Sequence, residues 1–158
     1  MFRVGFGFDT HKLVAGKKLM LGGVHIPHHA GCEGHSDADV LIHAICDALL
    51  GAVNMRDIGY HFPDTDSQYK GKESSFFLKE VHKLISAQNW KIENIDATIV
   101  IQQPKLSPYI PSIQQSLSTI LQLPPDNISI KAKTSEHLGF IGREEGVSGY
   151  GVVLVGRV

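Results

Sequence analysis

Cysteine, tryptophan and methionine are scarce in this 158-residue chain, at two, one and three residues. Cys32 and Cys46 form no CxxC pair, so two free thiols in a reducing compartment, the cytoplasm, are expected. No apolar run approaches the roughly 20 residues that span a bilayer, and no membrane association is expected. The amino terminus, MFRVGFGFD, enters strand-like alternation directly, with neither a signal-peptide apolar core nor an Arg/Ser-rich transit segment. Excess charge of one sign is also missing: 15 Lys and Arg stand against 16 Asp and Glu, for a net charge of -1. Such a chain offers no basic field, which argues against a nucleic-acid partner. GxSxG, P-loop, Rossmann and HExxH motifs are absent, and neither cysteine carries the local signature of a nucleophile. Chemistry on this chain has to come from metals and from a nucleophile brought by the substrate.

What is present is a globular composition, 42% hydrophobic and 20% charged, without repeats, low-complexity tracts or linkers. One domain over residues 1–158 is expected, large enough to bury a real core. Arg3–Asp9 reads as a strand, and Lys18–Leu21 and Val24–Ile26 as a hairpin turning at Gly22-Gly23. Pro27–Gly34 reads as a loop. Ser36 is placed to cap a helix running to about Val53, with Asp39 in the capping-box position and Val40, Leu41, Ala44, Ile45, Ala48 and Leu49 at helical spacing. Asn54–Gly71 is a long Asp-, Gly- and Pro-rich loop, of the kind that is more often functional than idle. Helices follow from about Ser75 to Gln88 and from Pro111, and strands at Ile95–Ile101, Ile128–Lys133 and Tyr150–Gly156. Strands and helices mix without strict alternation. The expected class is α+β, a single domain with helices packed on a mixed β-sheet.

Four constellations can carry chemistry. In GFGFDTH, Asp9 and His11 are two apart and share one face of an extended strand, about 6.6 Å apart along it, while Thr10 faces the other way. On the first helix Asp39, His43 and Asp47 recur every four residues. Two imidazoles and one carboxylate are a zinc set with a position left open to water or substrate, and Asp39 or Asp47 is placed to orient a ligand histidine. His25, His28, His29 and His35 are concentrated between positions 25 and 35. The first three read as a solvated loop; His35-Ser36, at an expected helix amino terminus, suits a phosphate. Arg56-Asp57-Ile58-Gly59 and Phe62-Pro63-Asp64-Thr65-Asp66 form the third group, though such residues are also ordinary turn formers. In the fourth, Lys133, Thr134 and Ser135 can donate to phosphate oxygens, Glu136 is a hard oxygen ligand for Mg2+ or Mn2+, and Arg143 can clamp an anion.

These stretches, GFGFDTH, HSDAD with His43, DIG at 57–59, FPDTD at 62–66, QQPKL at 102–106 and KTSEHLGFIGR at 133–143, together resemble the 2-C-methyl-D-erythritol 2,4-cyclodiphosphate synthases. The ordered match covers nearly the whole chain. It departs in small ways: Ala38 stands where Gly is usual, and Lys133–Ser135 where a run of threonines is frequent. The resemblance implies a lyase of non-mevalonate isoprenoid synthesis that converts 4-diphosphocytidyl-2-C-methyl-D-erythritol 2-phosphate to the cyclic diphosphate, releasing CMP. It implies a homotrimer with sites between subunits, zinc on Asp9, His11 and His43, and Mg2+ or Mn2+ held with help from Glu136. Carried over, Asp9, Thr10 and His11 adjoin substrate, and His35 and Ser36 contact the methylerythritol phosphate. His35 and Thr134 would stabilise the transition state. Asp57, Ile58 and Gly59 belong to the pocket, Phe62, Pro63, Asp64, Thr65 and Asp66 cover the methylerythritol, and Lys133–Glu136 hold the diphosphate. Ile101, Gln102, Gln103, Pro104, Lys105, Leu106 and Ser107 would read the cytosine. Around the threefold axis, Phe140, Arg143 and Glu145 are candidates to line a cavity for an isoprenoid diphosphate. Two rivals stay open on the residues alone: a metal-dependent phosphohydrolase, and a metal-storage protein built on His25, His28 and His29.

Overall fold

Alternation along the first strand decides how the molecule is layered. The computed structural model describes residues 1–158, and its first strand, β1, runs over Phe2–Ala15. Gly5, Gly7, Asp9, His11 and Leu13 point to one face; Val4, Phe6 and Phe8 point to the other. On the first face lies helix α1, Val40–Ala52, at a distance only glycine permits. A Cβ on Gly7 would meet Ala48 N at 2.6 Å, with the Ala44 carbonyl closer still, and one on Gly5 would meet Ala52 Cβ at 2.9 Å. Every residue of α1 is buried except His43, Asp47 and Gly51, which recur at one-turn spacing as a single stripe. The helix is thus the centre of the core and spares one line of side chains for a cavity.

Strands β2 (Leu19–Leu21) and β3 (Val24–Ile26) pair as the expected hairpin, and Gly22 and Gly23 take φ of +61° and +79° in its turn. After β4 (Ala30–Cys32) and α1 come α2 (Ile58–His61), α3 (Ser74–Ala87), β5 (Trp90–Val100), α4 (Ile110–Leu121), β6 (Ile128–Lys133), α5 (Gly139–Gly142) and β7 (Gly146–Arg157). The sheet order is β4-β1-β7-β5-β6, with β5 and β6 parallel and the other pairs antiparallel. Helix α4 forms the crossover between β5 and β6, and the two strands end together at the carboxyl edge of the sheet. This is the expected α+β arrangement of helices on a mixed sheet.

Several boundaries differ from expectation. β1 continues six residues beyond Asp9 because Thr10, His11 and Lys12 pair with Ser148, Val147 and Gly146 of β7, and Leu13–Ala15 with β4. The polar run that looked like a strand end is mid-strand. Pro27–Gly34 is not all loop, since Ala30–Cys32 is a buried edge strand. The N-cap of α1 is Asp39 rather than Ser36, its Oδ1 accepting from Ile42 N at 3.1 Å. The same carboxylate accepts from Gly22 N at 2.9 Å and Gly23 N at 2.7 Å, locking the hairpin turn to the helix start. Just before it Ala38 takes φ of +53°, the left-handed region, which explains why a glycine suits that position. The segment expected to be a loop over Asn54–Gly71 contains α2 and a 3-10 turn at Ser67–Tyr69, capped by Asp57 and Asp66. Strands β5 and β7 begin earlier than read, at Trp90 and Gly146, because each finds a partner across the sheet.

Candidate metal and polyanion site

Where β1 meets α1, three side chains converge. Asp9 Oδ2 lies 2.9 Å from His11 Nε2 and 3.0 Å from His43 Nδ1. The two ring nitrogens are 3.3 Å apart. Metal bonds near 2.0–2.1 Å at a tetrahedral angle require ligand atoms about 3.3 Å apart, so this triangle is already spaced to hold a divalent cation. The outer atoms of both rings are tied down. His11 Nδ1 donates to the Glu33 carbonyl at 3.0 Å, which leaves Nε2 facing Asp9. His43 Nε2 donates to Ser74 Oγ at 2.9 Å, and Ser74 Oγ in turn donates to Asp37 Oδ1. Each imidazole therefore turns its inner nitrogen toward Asp9, where it either donates to the carboxylate or, without that proton, offers a lone pair to a cation.

Electrostatics agree. Burial pushes the Asp9 carboxyl up, but hydrogen bonds and charge from His11 and His43 overcome it and hold Asp9 at about 2. Burial pulls His11 down, yet the Asp9 carboxylate beside it outweighs this and raises its pKa. A strongly acidic carboxylate flanked by two inward-facing imidazoles is a cation-binding set.

The triad opens on a cavity of about 580 Å³. Its wall includes His35, Ser36, Asp47, Ile58, Gly59, Phe62, Asp64, Thr65, Asp66 and Lys70. Gly71 N donates to the His35 carbonyl at 3.1 Å, strapping the 57–71 segment across the mouth. Beneath it Phe62, Tyr69 and Phe77 stack at centroid separations of 5.2–5.9 Å. Asp57 caps α2 through Tyr60 N at 2.9 Å and, like Pro63, stays off the cavity wall.

The orienting partners of the histidines are not those anticipated. Asp39 is spent on the hairpin turn, and Asp47 Oδ1 accepts from Ile58 N at 2.8 Å. The residues that act are Ser74, which carries no local motif, and Asp37, which lies inside the HSDAD stretch but was not singled out there. Ser36 and His35 stand upstream of the helix rather than at its first turn; Ser36 Oγ accepts from Ala38 N at 3.0 Å and lies 3.4 Å from His43 Nε2. Thr10 turns to the opposite sheet face, its hydroxyl 2.8 Å from Ser148 Oγ.

A second group gathers beyond the parallel ends of β5 and β6, the edge where open sheets with parallel strands present ligand sites. Ile101 N donates to the Lys133 carbonyl at 2.9 Å, and buried Gln102 accepts from His137 N at 3.1 Å. Leu106 is buried, while Gln103, Lys105, Ser107, Lys133, Thr134 and Glu136 are exposed. Pro104 and Ser135 are half-buried, and the Gln103–Pro104 peptide is cis. Glu136, at φ +54°, sits 3.4 Å from Thr134 Oγ1. None of these residues lines the cavity of its own chain. Phe140 is exposed on α5, and Arg143 is paired with Glu145 at 3.0 and 3.1 Å. No helix is long and apolar enough to cross a membrane.

Fold and site together define a class: an α+β protein in which a long strand and a central helix present an Asp/His/His ligand set to a polar cavity. The model of the YgbB family matches residues 2–156, and the chain belongs to that family. It is 58% identical over 156 residues to the 2-C-methyl-D-erythritol 2,4-cyclodiphosphate synthase of Bacteroides fragilis strain YCH46, covering 99% of this chain and 98% of that one. The bifunctional IspDF of Campylobacter jejuni superposes with a TM-score of 0.96 at 37% identity; the match spans 100% of this chain but 43% of that longer one. A CDP-bound 2C-methyl-D-erythritol-2,4-cyclodiphosphate synthase superposes with a TM-score of 0.91 at 39% identity, over 98% of this chain and 100% of the other.

Proposed function

We propose that this chain, acting as one unit over residues 1–158, converts 4-diphosphocytidyl-2-C-methyl-D-erythritol 2-phosphate to 2-C-methyl-D-erythritol 2,4-cyclodiphosphate and CMP. The reaction is a step of non-mevalonate isoprenoid synthesis. The observation that carries the reading is the Asp9/His11/His43 triangle, spaced for a cation, opening on a cavity walled by residues of this chain's HSDAD, DIG and FPDTD stretches. A CDP-bound relative of the same fold fits a cytidyl diphosphate substrate.

In the reaction an oxygen of the 2-phosphate forms a bond to the β-phosphorus, and the bond from that phosphorus to the CMP oxygen breaks. Asp9, His11 and His43 would hold zinc, and Glu136 would help to hold Mg2+ or Mn2+; when bound, these cations would neutralise charge on the approaching anions and on the leaving oxygen. His35 and Ser36 hold the methylerythritol phosphate, and the strapped Phe62–Asp66 segment keeps the erythritol folded and sheds water. Holding both phosphates in one enclosure supplies the proximity that an intramolecular attack needs. Lys133–Ser135 grip the diphosphate, Thr134 sharing transition-state stabilisation with His35, while main-chain groups of Ile101–Ser107 face the cytosine. No protein nucleophile takes part.

The working unit is a homotrimer. Val4, Phe6, Phe8 and Val152, 41–68% exposed, form a continuous apolar face on the sheet opposite the helices, a surface that a second copy of the chain would cover. The 101–107 and 133–136 segments stand off their own chain's cavity, which is the placement expected if they complete a neighbour's. Near the same axis Phe140 and Arg143 would admit an isoprenoid diphosphate, with the anion displacing Glu145 from Arg143. The reading puts the chain in the cytoplasm, where two free cysteines stay reduced.

Incubation with the cytidyl substrate followed by phosphorus NMR tests the reaction. A cyclic diphosphate appearing with CMP is the expected result; open-chain phosphates alone would instead establish hydrolysis.

A further inference from the structure

Of the four histidines between positions 25 and 35, only His35 lines the cavity. His25 stands exposed on β3. His28 and His29, on the connection from β3 to β4, bring their rings to a centroid distance of 4.2 Å. Both face Glu144, in the turn between α5 and β7, and one ligand atom from each of the three lies within 4.8 Å of the others.

Main-chain bonds, not these side chains, bring the two segments together. Gly16 N at the end of β1 donates to the His29 carbonyl at 3.0 Å, next to the Ala15 and Ala30 register pair. Three residues earlier on the same strand, Leu13 N donates to the Glu145 carbonyl at 2.9 Å. Glu144 itself is fixed at φ +60° with its N–H on the Ile141 carbonyl at 2.9 Å. One strand therefore sets ligand residues from distant parts of the chain side by side.

We propose that His28, His29 and Glu144 form a second metal site, taking a divalent transition cation such as Zn2+, Ni2+ or Cu2+, separate from the Asp9/His11/His43 set. Two imidazoles and one carboxylate suit such cations, whereas Mg2+ and Ca2+ demand oxygen ligands. Tetrahedral coordination needs ligand atoms about 3.3 Å apart, and these half-buried and exposed side chains have the rotamer freedom to close from 4.8 Å. Burial lowers the pKa of His28, as does His29 beside it, against the opposing charge of Glu144, a direction that favours the neutral form a ligand must take. None of the three residues lines the catalytic cavity, so this site does not depend on the proposed reaction. A bound ion would clip the β3–β4 connection to the turn that carries Arg143 and Glu145, and would raise the melting temperature by mass action.

The test is calorimetric titration of the metal-stripped 158-residue chain with Zn2+ alone. Two saturable sites per chain are expected. The His28→Ala/His29→Ala variant should lose one of them and keep both the other and wild-type turnover; Glu144→Gln should weaken that same site at least tenfold. His25→Ala, the control for loose histidine binding, should keep both. One site per chain in the unmodified protein, two in the double variant, or undiminished binding in Glu144→Gln would each overturn the proposal.

Discussion

Replacing Gly7 by alanine probes the seam on which the metal triad depends. The added methyl would sit 2.6 Å from Ala48 N and nearer still to the Ala44 carbonyl, against ordinary contact at 3.4 Å and beyond. Both are main-chain atoms of a helix and cannot rotate aside, so α1 must retreat from β1 by about 1 Å or more. Gly7 is two residues from Asp9, and Ala44 adjoins His43. The retreat therefore separates the two halves of the triad, opening the 3.0 Å and 3.3 Å approaches of His43 to about 4 Å or more. A cation with bonds near 2.1 Å then reaches two ligands well and the third poorly. Zn2+ affinity, measured by competition with a chelator, should fall at least about a hundredfold, equivalent to about 2.7 kcal/mol. Overpacking should also cost about 1–3 kcal/mol of stability, a melting-temperature drop of roughly 3–10 °C for a chain of this length. Gly51→Ala is the matched control. It lies on the same helix with nothing within 4 Å of the new methyl, and should gain up to about 1 kcal/mol while leaving metal affinity unchanged. A Gly7→Ala protein that melts and binds Zn2+ like the parent would refute the coupling of strand, helix and metal.

Ser74→Ala removes the hydroxyl between His43 Nε2 and Asp37 and should weaken Zn2+ binding by about 10–100-fold, with a melting-temperature loss of only about 2–4 °C. Equal affinity would show that Ser74 has no part in aligning the ring. The contribution of the Asp9–His11 contact to the stability of the metal-free chain should be greatest between about pH 4 and 6.5. Asp9, lowered from 3.8 to about 2, contributes stability that is lost as pH falls toward 2; His11, raised above 6.5, contributes stability lost as pH climbs through its folded pKa. Zn2+ affinity must run the other way over that upper window, because it binds the neutral ring; melts of the stripped chain with no alkaline decline would contradict this. Burial pushes the Cys32 thiol up to about 12, with carboxylates of Asp39, Asp9 and Asp37 adding to it, and pushes Cys46 well above its usual range. Alkylation of the folded chain at pH 8 should run roughly a thousandfold slower than in denaturant, and prompt labelling would show that one thiol is accessible.

Much of the site was legible in the residues because its pieces are local. Spacing of two put Asp9 and His11 on one strand face, and Gly22-Gly23 announced its own turn. The apolar positions of α1 appeared at helical spacing. What could not be read were consequences of partners far away in sequence. Thr10-His11-Lys12 has no strand-like pattern and becomes strand only because β7 lies beside it. Asp39 looked like a companion of His43 on one helix face, yet two amides of the hairpin turn claim its carboxylate. Ser74 gives no sign of being a ligand's partner until α3 crosses α1. The deepest case is the opening GFGFD stretch. Its glycines announce that something comes close, but the sequence does not say what. That the approaching element is the main chain of α1 at Ala44 and Ala48 turns a packing device into a condition for chemistry, since the same contact that seats the helix delivers His43 to Asp9 and His11. Stability and metal binding therefore cannot be varied independently along this seam: substitutions that loosen the α1–β1 contact have to weaken both, whereas Ser74→Ala leaves that contact in place and should weaken metal binding far more than the fold.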